Sequence, residues 1–320
     1  MNKKPKILVV GSLTMDQIAT TRIFPRDGQT VLGKEFLQVP GGKGANQAVQ
    51  MARLGADVSM VGKVGKDVAG RELLHACREA GVDTDMVLED EMEETGRSMI
   101  ILEMVPGEHT KNRILVIPGA NMTLRPEEIE DLKDKIAAYD MVLLQNEIPM
   151  AINELVAEYA FKKDVPVMLN PAPAAQLSKE LLSHITYISP NEQETADMTG
   201  MECRMANGEF HLEKAKVAAS VLRGYGVKNV LLTLSEAGAL LDTPEGMIYK
   251  PGQQNVRIVD PTAAGDAFVG AFCTRICMGE RQGEALEYAN HTAALAVTKM
   301  GTMSSLPFRE EVEAYLNLKK

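Results

Sequence analysis

The chain has 320 residues, 45% of them hydrophobic, and a formal net charge of −10 at pH 7. That length suits one large α/β domain or two ordinary ones. The acidic balance, without any Lys/Arg-rich run, argues against a nucleic-acid partner, because phosphate backbones require concentrated positive charge. A small anionic ligand remains compatible, since backbone N–H groups can bind it locally.

The amino-terminal residues and the cysteines bear on the compartment. The apolar run ILVV in MNKKPKILVVGS is too short for a signal peptide, and nothing approaches a membrane span. Cys77, Cys203, Cys273 and Cys277 form no CxxC pair and no disulfide framework. Cys273 and Cys277 are spaced to reach one metal, but core packing is strongly favoured. We therefore expect a cytoplasmic protein with no membrane partner.

The predicted strands are short apolar runs that alternate with amphipathic segments. In chain order they are KILVVG, VSMVGKVG, MVLLQN, VPVMLNP, ITYISPN and VKNVLLTL. Several are apolar throughout, as strands buried on both faces are. Amphipathic segments such as Pro126–Tyr139 and Ala151–Lys163 lie between them, and no Pro/Ser-rich linker divides the chain. This pattern predicts a single α/β domain over residues 1–320, a three-layer α/β/α sandwich with a mostly parallel central sheet.

Two stretches interrupt the alternation. Residues 14–40, approximately, contain strand-like pieces around a DG turn, and residues 97–117 predict a hairpin with a polar loop at PGEHTKN. Together they could form a small β layer that serves as a lid and pairs with a second copy of the chain. An edge extension of the main sheet is an equal alternative.

Neither of the two common nucleotide motifs is present. Each of the four Gly-Lys pairs lacks the following Ser or Thr that a P-loop needs to hold magnesium. The first strand runs into GSLTMD, which has one glycine where the dinucleotide fingerprint requires three. A dinucleotide dehydrogenase is therefore disfavoured, and a protein that used ATP would need another phosphate cradle.

The stretch PGGKGANQAVQMARLGA, residues 40–56, is a candidate ligand site. Its three glycines precede a predicted helix over Ala45–Leu54 and allow a ligand to approach the backbone closely. Lys43 and Asn46 could hydrogen-bond hydroxyl groups. A flexible entry turn is the competing interpretation.

Polar residues also follow several predicted strands, where ligands bind in open α/β sheets. Asp16 comes just after the first strand, Glu147 follows MVLLQ, and Asn191 follows ITYISP. Thr233 and Ser235 follow NVLL. Any one of them alone is typical of a turn, and their shared position favours a ligand crevice.

The stretch VDPTAAGDAFVGAF places Asp266 before a helix predicted to begin at Ala267. The small residues Ala263, Ala264 and Gly265 leave the first N–H groups of that helix accessible to an anion. Asp266 could then serve as a general base, or it could be an ordinary helix N-cap.

These motifs together resemble the ribokinase family of ATP-dependent carbohydrate kinases. The likeness covers nearly the whole chain, and its most specific parts are GGKGAN and the DxxxAGD pattern at residues 260–266. It implies a sandwich with a β-sheet lid that is often shared across a homodimer. The implied reaction transfers the γ-phosphate of ATP to the 5-hydroxyl of D-ribose, with Mg²⁺ and with K⁺ as activator.

The resemblance also implies roles for individual residues. The catalytic base is Asp266, with an anion hole at Ala263, Ala264 and Gly265. The sugar-binding positions are Thr14, Asp16, Gly42, Lys43, Asn46, Glu147 and Asp266. The ATP positions are Asn191, Thr233, Leu234, Ser235, Glu236, Ala237, Gly238, Gly265 and Asn290. Glu194 is linked to magnesium, and the potassium ligands are Asp260, Thr262, Ala296, Lys299, Gly301 and Ser305.

Three positions depart from the family pattern. Thr14 stands where many members have an Asn that touches the sugar, Pro40 precedes the glycines, and Pro261 stands where Thr is common. Thr14 leaves deoxyribose or another pentose open as the acceptor. The nearest alternative is a sister kinase that acts on deoxyribose, fructose or a nucleoside. A non-catalytic sugar-binding protein is a further alternative, although a pure binder would not need Asp266.

Overall fold

The computed structural model describes residues 4–105 and 110–318. Its strands are β1 (Lys6–Val10), β2 (Thr14–Thr21), β3 (Glu35–Gly41), β4 (Asp57–Gly65), β5 (Val82–Asp90), β6 (Gly96–Glu103), β7 (Lys111–Ile117), β8 (Met141–Gln145), β9 (Val167–Asn170), β10 (Tyr187–Ile188), β11 (Asn229–Thr233), β12 (Ala239–Thr243) and β13 (Gly246–Lys250). Its helices are α1 (Lys43–Arg53), α2 (Val68–Glu79), α3 (Leu132–Lys135), α4 (Met150–Lys162), α5 (Lys179–His184), α6 (Glu192–Thr199), α7 (Leu212–Arg223), α8 (Ala264–Cys277), α9 (Gln282–Ala296) and α10 (Arg309–Leu318).

The main sheet has nine strands in the order β13-β12-β11-β10-β9-β8-β1-β4-β5. The seven strands from β11 to β5 are parallel, and β12 and β13 add an antiparallel edge. All six apolar runs singled out in the sequence are strands of this sheet. The predicted α/β class with a mostly parallel central sheet is therefore confirmed.

Helices cover both faces of the sheet because the apolar strands have two buried sides. In β1, Val9 belongs to the core that includes Phe272 of α8. The next residue back, Leu8, belongs to the opposite core, with Val156 of α4. Successive side chains of a strand point to opposite faces, so an apolar run such as KILVV feeds two cores at once.

One predicted helix is broken. The segment Pro126–Tyr139 forms a 3₁₀ turn, the short helix α3 and a second 3₁₀ turn. Within the first 3₁₀ turn, the Glu128 carboxylate accepts hydrogen bonds from the Arg125 N–H and from Lys63 Nζ of β4, both at 2.9 Å. The apolar residues Ile129, Leu132 and Ile136 are still buried, so the hydrophobic pattern predicted the buried face correctly but not a continuous helix.

The two irregular stretches form a separate four-stranded sheet in the order β3-β2-β6-β7. β2 pairs antiparallel with β3 and parallel with β6, and β6 pairs antiparallel with β7. The alternative of an edge extension is therefore wrong. Residues 106–109 of the predicted polar loop PGEHTKN lie outside the described residues.

Across the described ranges, no helix has both the length and the apolar character that crossing a membrane requires. Cys273 is buried in the core beside Phe272, as the packing interpretation expected.

Candidate active site

The candidate site lies where the carboxyl ends of β8 and β11, the turn before α1, the start of α8 and one face of the small sheet come together. Gly42 is the N-cap of α1 and has a φ of 93°, a conformation that glycine adopts readily. A Cβ atom on Gly42 would lie 2.7 Å from the backbone nitrogen of Thr14. On Gly44 it would lie 2.6 Å from that of Ser12. The glycines therefore let α1 pack directly on the loop after β1, and α1 begins two residues earlier than predicted.

Asp266 is the third residue of α8, and the helix begins at Ala264 instead of Ala267. Ala263 holds the N-cap position, so the interpretation of Asp266 as an N-cap is wrong. Ala264 and Gly265, which were expected to precede the helix, form its first turn. The Asp266 carboxylate is 6% exposed and accepts from Asn46 Nδ2 at Oδ2 and from Gln47 Nε2 at Oδ1, both at 2.9 Å.

Burial raises the pKa of Asp266 to about 6. The positive charge of Lys43 and the two amide donors act in the opposite direction. A carboxyl with this pKa is ionised at neutral pH and is a stronger base than an exposed aspartate. Perturbed values of this kind are typical of proton-transfer groups.

Lys43 supplies the positive charge at the centre of the site. Burial lowers the pKa of its ammonium group, but Asp266, Glu147, Glu194 and Asp16 together raise it above its ordinary value. Lys43 is therefore protonated at neutral pH, and its charge offsets those of the surrounding carboxylates. Four of the predicted site carboxylates therefore surround the ammonium group of Lys43.

Asp16 lies within β2 of the small sheet, not directly after β1 as expected. Its Oδ1 accepts from the hydroxyls of Thr14 at 3.0 Å and Ser98 at 2.6 Å. Burial raises the pKa of Asp16, while hydrogen bonds from Ser98, Thr302 and Thr14 lower it. The expected position was wrong because the chain leaves the main sheet at Gly11 and enters the small sheet at Thr14.

Glu147 follows β8, and its Oε2 is held from two sides. It accepts from Ser12 Oγ at 2.5 Å and from the backbone N–H of Lys43 at 3.2 Å. These two bonds connect the end of β8 to the loop after β1 and to the first turn of α1. The predicted sugar-binding positions therefore share one contiguous region.

The predicted anion hole is only partly open. The methyl group of Ala263 is buried in the core, and the N–H of Ala264 donates to Pro261 O at 3.2 Å. Gly265 is exposed, and a Cβ built on it meets no atom within 4 Å. The space for an anion at the start of α8 therefore lies in front of Gly265.

The predicted nucleotide residues lie on two neighbouring elements. Asn191 caps α6, where it and Glu194 exchange hydrogen bonds of 2.7 and 2.8 Å in a capping box. Burial raises the pKa of Glu194. Residues 233–238 run from the end of β11 through a 3₁₀ turn, and Leu234 N donates to Gly238 O.

A side chain that was not predicted joins these elements. Arg204 donates to Glu192 of α6 at 2.6 and 2.9 Å and lies 3.0 Å from Glu236. Asn290 of α9 donates to the carbonyls of Lys250 and Pro251, at the end of the strand that follows this turn. The predicted ATP residues therefore border a continuous rim.

The predicted potassium residues gather around Asp260, which is 1% exposed. Its Oδ1 accepts from the N–H and hydroxyl of Thr262, and its Oδ2 accepts from the N–H of Gly301 at 3.0 Å. Ser305 is also buried and ends the 3₁₀ turn that follows Gly301. The Lys299 ammonium group pairs with Glu311 at 2.6 Å. The buried carboxylate thus joins the start of α8 to the loop after α9.

The model of the pfkB family of carbohydrate kinases matches residues 4–309. The chain belongs to this family. Ribokinase of Schizosaccharomyces pombe is 38% identical over 321 residues, with 98% of each chain covered. Ribokinase of Bacillus subtilis is 38% identical over 325 residues, with 97% of this chain and 99% of that protein covered.

A solved structure has the same fold. The structure of Arabidopsis thaliana ribokinase complexed with ribose and ATP has a TM-score of 0.84 and 32% identity, and covers 98% of this chain and 99% of that chain. Together with membership of the pfkB family, this confirms the predicted family and the predicted enzyme class, an ATP-dependent carbohydrate kinase.

Besides Arg204 on the nucleotide rim, the sequence interpretation of this pfkB-family site missed four side chains around Asp266 and the sugar-binding residues. Gln47 contacts Asp266, Ser12 contacts Glu147, and Ser98 and Thr302 contact Asp16. Gln47 could have been found from helical spacing, because it is four residues after Lys43 and lies on the same helix face. Ser98 and Thr302 carry no local sequence pattern that would indicate their role.

Proposed function

We propose that this chain is an ATP-dependent ribokinase that transfers the γ-phosphoryl group of ATP to the 5-hydroxyl of D-ribose. The observation that carries the proposal is Asp266, a buried carboxylate with a pKa raised to about 6, beside the Lys43 ammonium group and the open space at Gly265. The two ribokinases at 38% identity support ribose as the acceptor.

The sugar is bound by the polar groups that converge on Lys43. Asp16 and Glu147 offer carboxylate oxygens to sugar hydroxyls, and Lys43 and Asn46 offer donors. Oδ1 of Asn46 is buried without a hydrogen-bond partner among the described residues, so it is available to a sugar hydroxyl. Holding the sugar in one orientation supplies a large part of the rate of phosphoryl transfer.

In the reaction, ionised Asp266 accepts the proton of the 5-hydroxyl as that oxygen forms its bond to the γ-phosphorus and the bond to ADP breaks. General-base assistance of this kind contributes ~10²–10⁴ in rate. The N–H groups at the start of α8, in front of Gly265, face the charge that develops on the phosphoryl oxygens. Lys43 balances the negative charge that collects in the site.

ATP is proposed to occupy the rim formed by Asn191, residues 233–238 and Asn290. Magnesium fits this rim as an ion carried mainly by phosphate oxygens, because Glu194 places one buried carboxylate beside Asn191 at the start of α6. Glu194 would supply one carboxylate contact, directly or through water. When bound, Mg²⁺ neutralises phosphate charge.

A potassium ion fits the turns around Asp260. The potential ligands are all oxygens, and both Asp260 oxygens accept only from neutral groups within the described chain. The ion would be held by the Asp260 carboxylate, the Ser305 hydroxyl and the carbonyls of Thr262, Ala296, Lys299 and Gly301. Activity in potassium buffer should exceed activity in sodium-only buffer several-fold, and equal activity would remove this part of the proposal.

We also propose that residues 1–320 form one kinase domain in which the small sheet is a lid over the sugar site, and that two lids pair in a homodimer. β7 ends the small sheet, and Ile114, Leu115 and Ile117 on it are 49%, 60% and 51% exposed. An exposed apolar edge strand favours pairing. Light scattering should give twice the chain mass, and Leu115→Lys should reduce it to that of a monomer.

We place the protein in the cytoplasm, since all four cysteines are free thiols.

A sister kinase that acts on deoxyribose is the second candidate. Thr14 favours it, because the Thr14 hydroxyl donates its hydrogen bond to Asp16. Thr14 also lacks the side-chain amide with which an Asn at this position would contact the sugar. A coupled ADP-release assay over D-ribose, 2-deoxy-D-ribose, fructose and adenosine separates the candidates. The highest kcat/KM should be with D-ribose, and a preference for deoxyribose or adenosine would contradict the proposal.

A further inference from the structure

The carboxylate of Asp16 is held by hydroxyl groups from two strands of the small sheet. Oδ1 accepts from Ser98 Oγ on β6 at 2.6 Å and from Thr14 Oγ1 on β2 at 3.0 Å. All three side chains are buried. Asp16 and Ser98 are direct partners in the parallel register of the two strands, and Thr14 is two residues before Asp16 on the same face.

The second oxygen of Asp16 is close to the backbone of β3. Oδ2 lies against Gly41, where an added Cβ atom would come within 1.9 Å of it. Hydrogen bonds from hydroxyls to a carboxylate are short and stronger than neutral ones. Rotation of the carboxylate would break both bonds to Oδ1, so Ser98 and Thr14 fix its plane together with the Thr302 hydroxyl, which also donates to Asp16.

We propose that Ser98 is a positioning residue that, together with Thr14, holds Asp16 in the orientation that binds the sugar. This inference rests on the proposed role of Asp16 as a sugar ligand. Thr14 then acts through Asp16, in place of the direct sugar contact that its position in the motif implies. Because β6 supplies Ser98, sugar affinity depends on correct pairing of β2 with β6 in the small sheet.

The experiment compares Ser98→Ala and Ser98→Thr with the unchanged enzyme, using D-ribose and ATP. A hydrogen bond to a charged group contributes about 1.5–3 kcal/mol, so Ser98→Ala should raise KM for D-ribose about tenfold or more. The values of kcat and of KM for ATP should stay within about twofold, because the Ser98 hydroxyl donates to Asp16, whereas Asp266 is held by Asn46 and Gln47. Ser98→Thr keeps the hydroxyl and should recover most of the affinity.

A matched control is Ser59→Ala, which removes a serine–aspartate hydrogen bond of 3.3 Å to Asp83 at the amino-terminal ends of β4 and β5. This variant should change none of the constants. An unchanged KM for D-ribose in Ser98→Ala, or an equal loss of kcat and of affinity for both substrates, would overturn the positioning role. Ser98→Cys gives the same comparison if the alanine variant does not fold.

Asp16→Asn separates this inference from the proposal on which it rests. If Asp16→Asn leaves KM for D-ribose unchanged, Asp16 is not a sugar ligand and the proposed site is wrong there. If Asp16→Asn weakens binding and Ser98→Ala does not, only the positioning role fails. The double variant should be no weaker than Asp16→Asn alone, whereas additive losses would show that Ser98 acts independently of Asp16.

Discussion

Replacing Gln47 by methionine removes one of the two amide donors that hold the buried carboxylate of Asp266. Gln47 is fully buried and donates to Asp266 Oδ1 at 2.9 Å, while its own Oε1 accepts from Gln145 Nε2 at 2.7 Å. Its donor stabilises the ionised form, so its loss must raise the pKa of Asp266 further. Ionised Asp266 is the active form in the proposed mechanism.

The size of the effect follows from the energy of one hydrogen bond to a charged group. About 1.5–3 kcal/mol corresponds to roughly one to two pKa units. The pKa of Asp266 would then rise from about 6 to ~7–8, and the increase of kcat/KM with pH would move upward by the same amount. At pH 6.5 the variant should be roughly eightfold slower for a pKa near 7.5, and at pH 9 nearly normal.

The assay is kcat/KM for D-ribose from pH 5 to 9 by coupled ADP release. Gln50→Met is the matched control, because Gln50 is a buried glutamine on the same helix whose amide donates to Pro307 O at 3.0 Å. Gln50→Met removes one hydrogen bond, whereas Gln47→Met also removes the bonds to Asn170 and Gln145 and should lose more stability. The pH position of the acid limb is therefore compared, since it does not depend on the amount of folded enzyme. An acid limb that stays at the wild-type pH in Gln47→Met would refute the reasoning.

Three further outcomes test neighbouring parts of the site. Gly41→Ala should raise KM for D-ribose at least tenfold, since its Cβ would displace Oδ2 of Asp16, and steady-state kinetics at fixed ATP measure it. Arg204→Met should raise KM for ATP several-fold and leave KM for D-ribose unchanged, because it removes the arginine that bridges Glu192 of α6 and Glu236 of the 233–238 turn. An equal change in both constants would contradict this. Thr14→Val should weaken D-ribose binding less than Asp16→Asn, as isothermal titration would measure.

The main sheet could be predicted because its information is local. KILVV and MVLLQ are apolar at every position, which is what a parallel strand under two helix layers requires. The glycine-rich turn and the helix after it were also predictable, but the glycines were expected to admit a ligand and instead let α1 pack against the loop after β1. Both features follow from a few adjacent residues without knowledge of distant ones.

The site could be predicted only in part because its key contacts are distant in sequence. Gln47 and Asp266 are 219 positions apart, and Asp16 and Ser98 are 82 apart. Single polar residues in these places resemble turn or surface residues until the fold brings them together. The start of α8 was misplaced for a related reason. Ala264 and Gly265 resemble a loop in the sequence but form the first turn of α8, which packs against α1 and α9.

The central claim is that Asp266 removes the proton from the acceptor hydroxyl. The most direct test is turnover of Asp266→Asn with D-ribose and ATP, accompanied by D-ribose binding to the same preparation. The proposed mechanism predicts that kcat falls by at least ~10²-fold while D-ribose affinity stays within about threefold. Near-normal turnover in this variant would contradict it, and Asp266 would then be only a structural residue of α8.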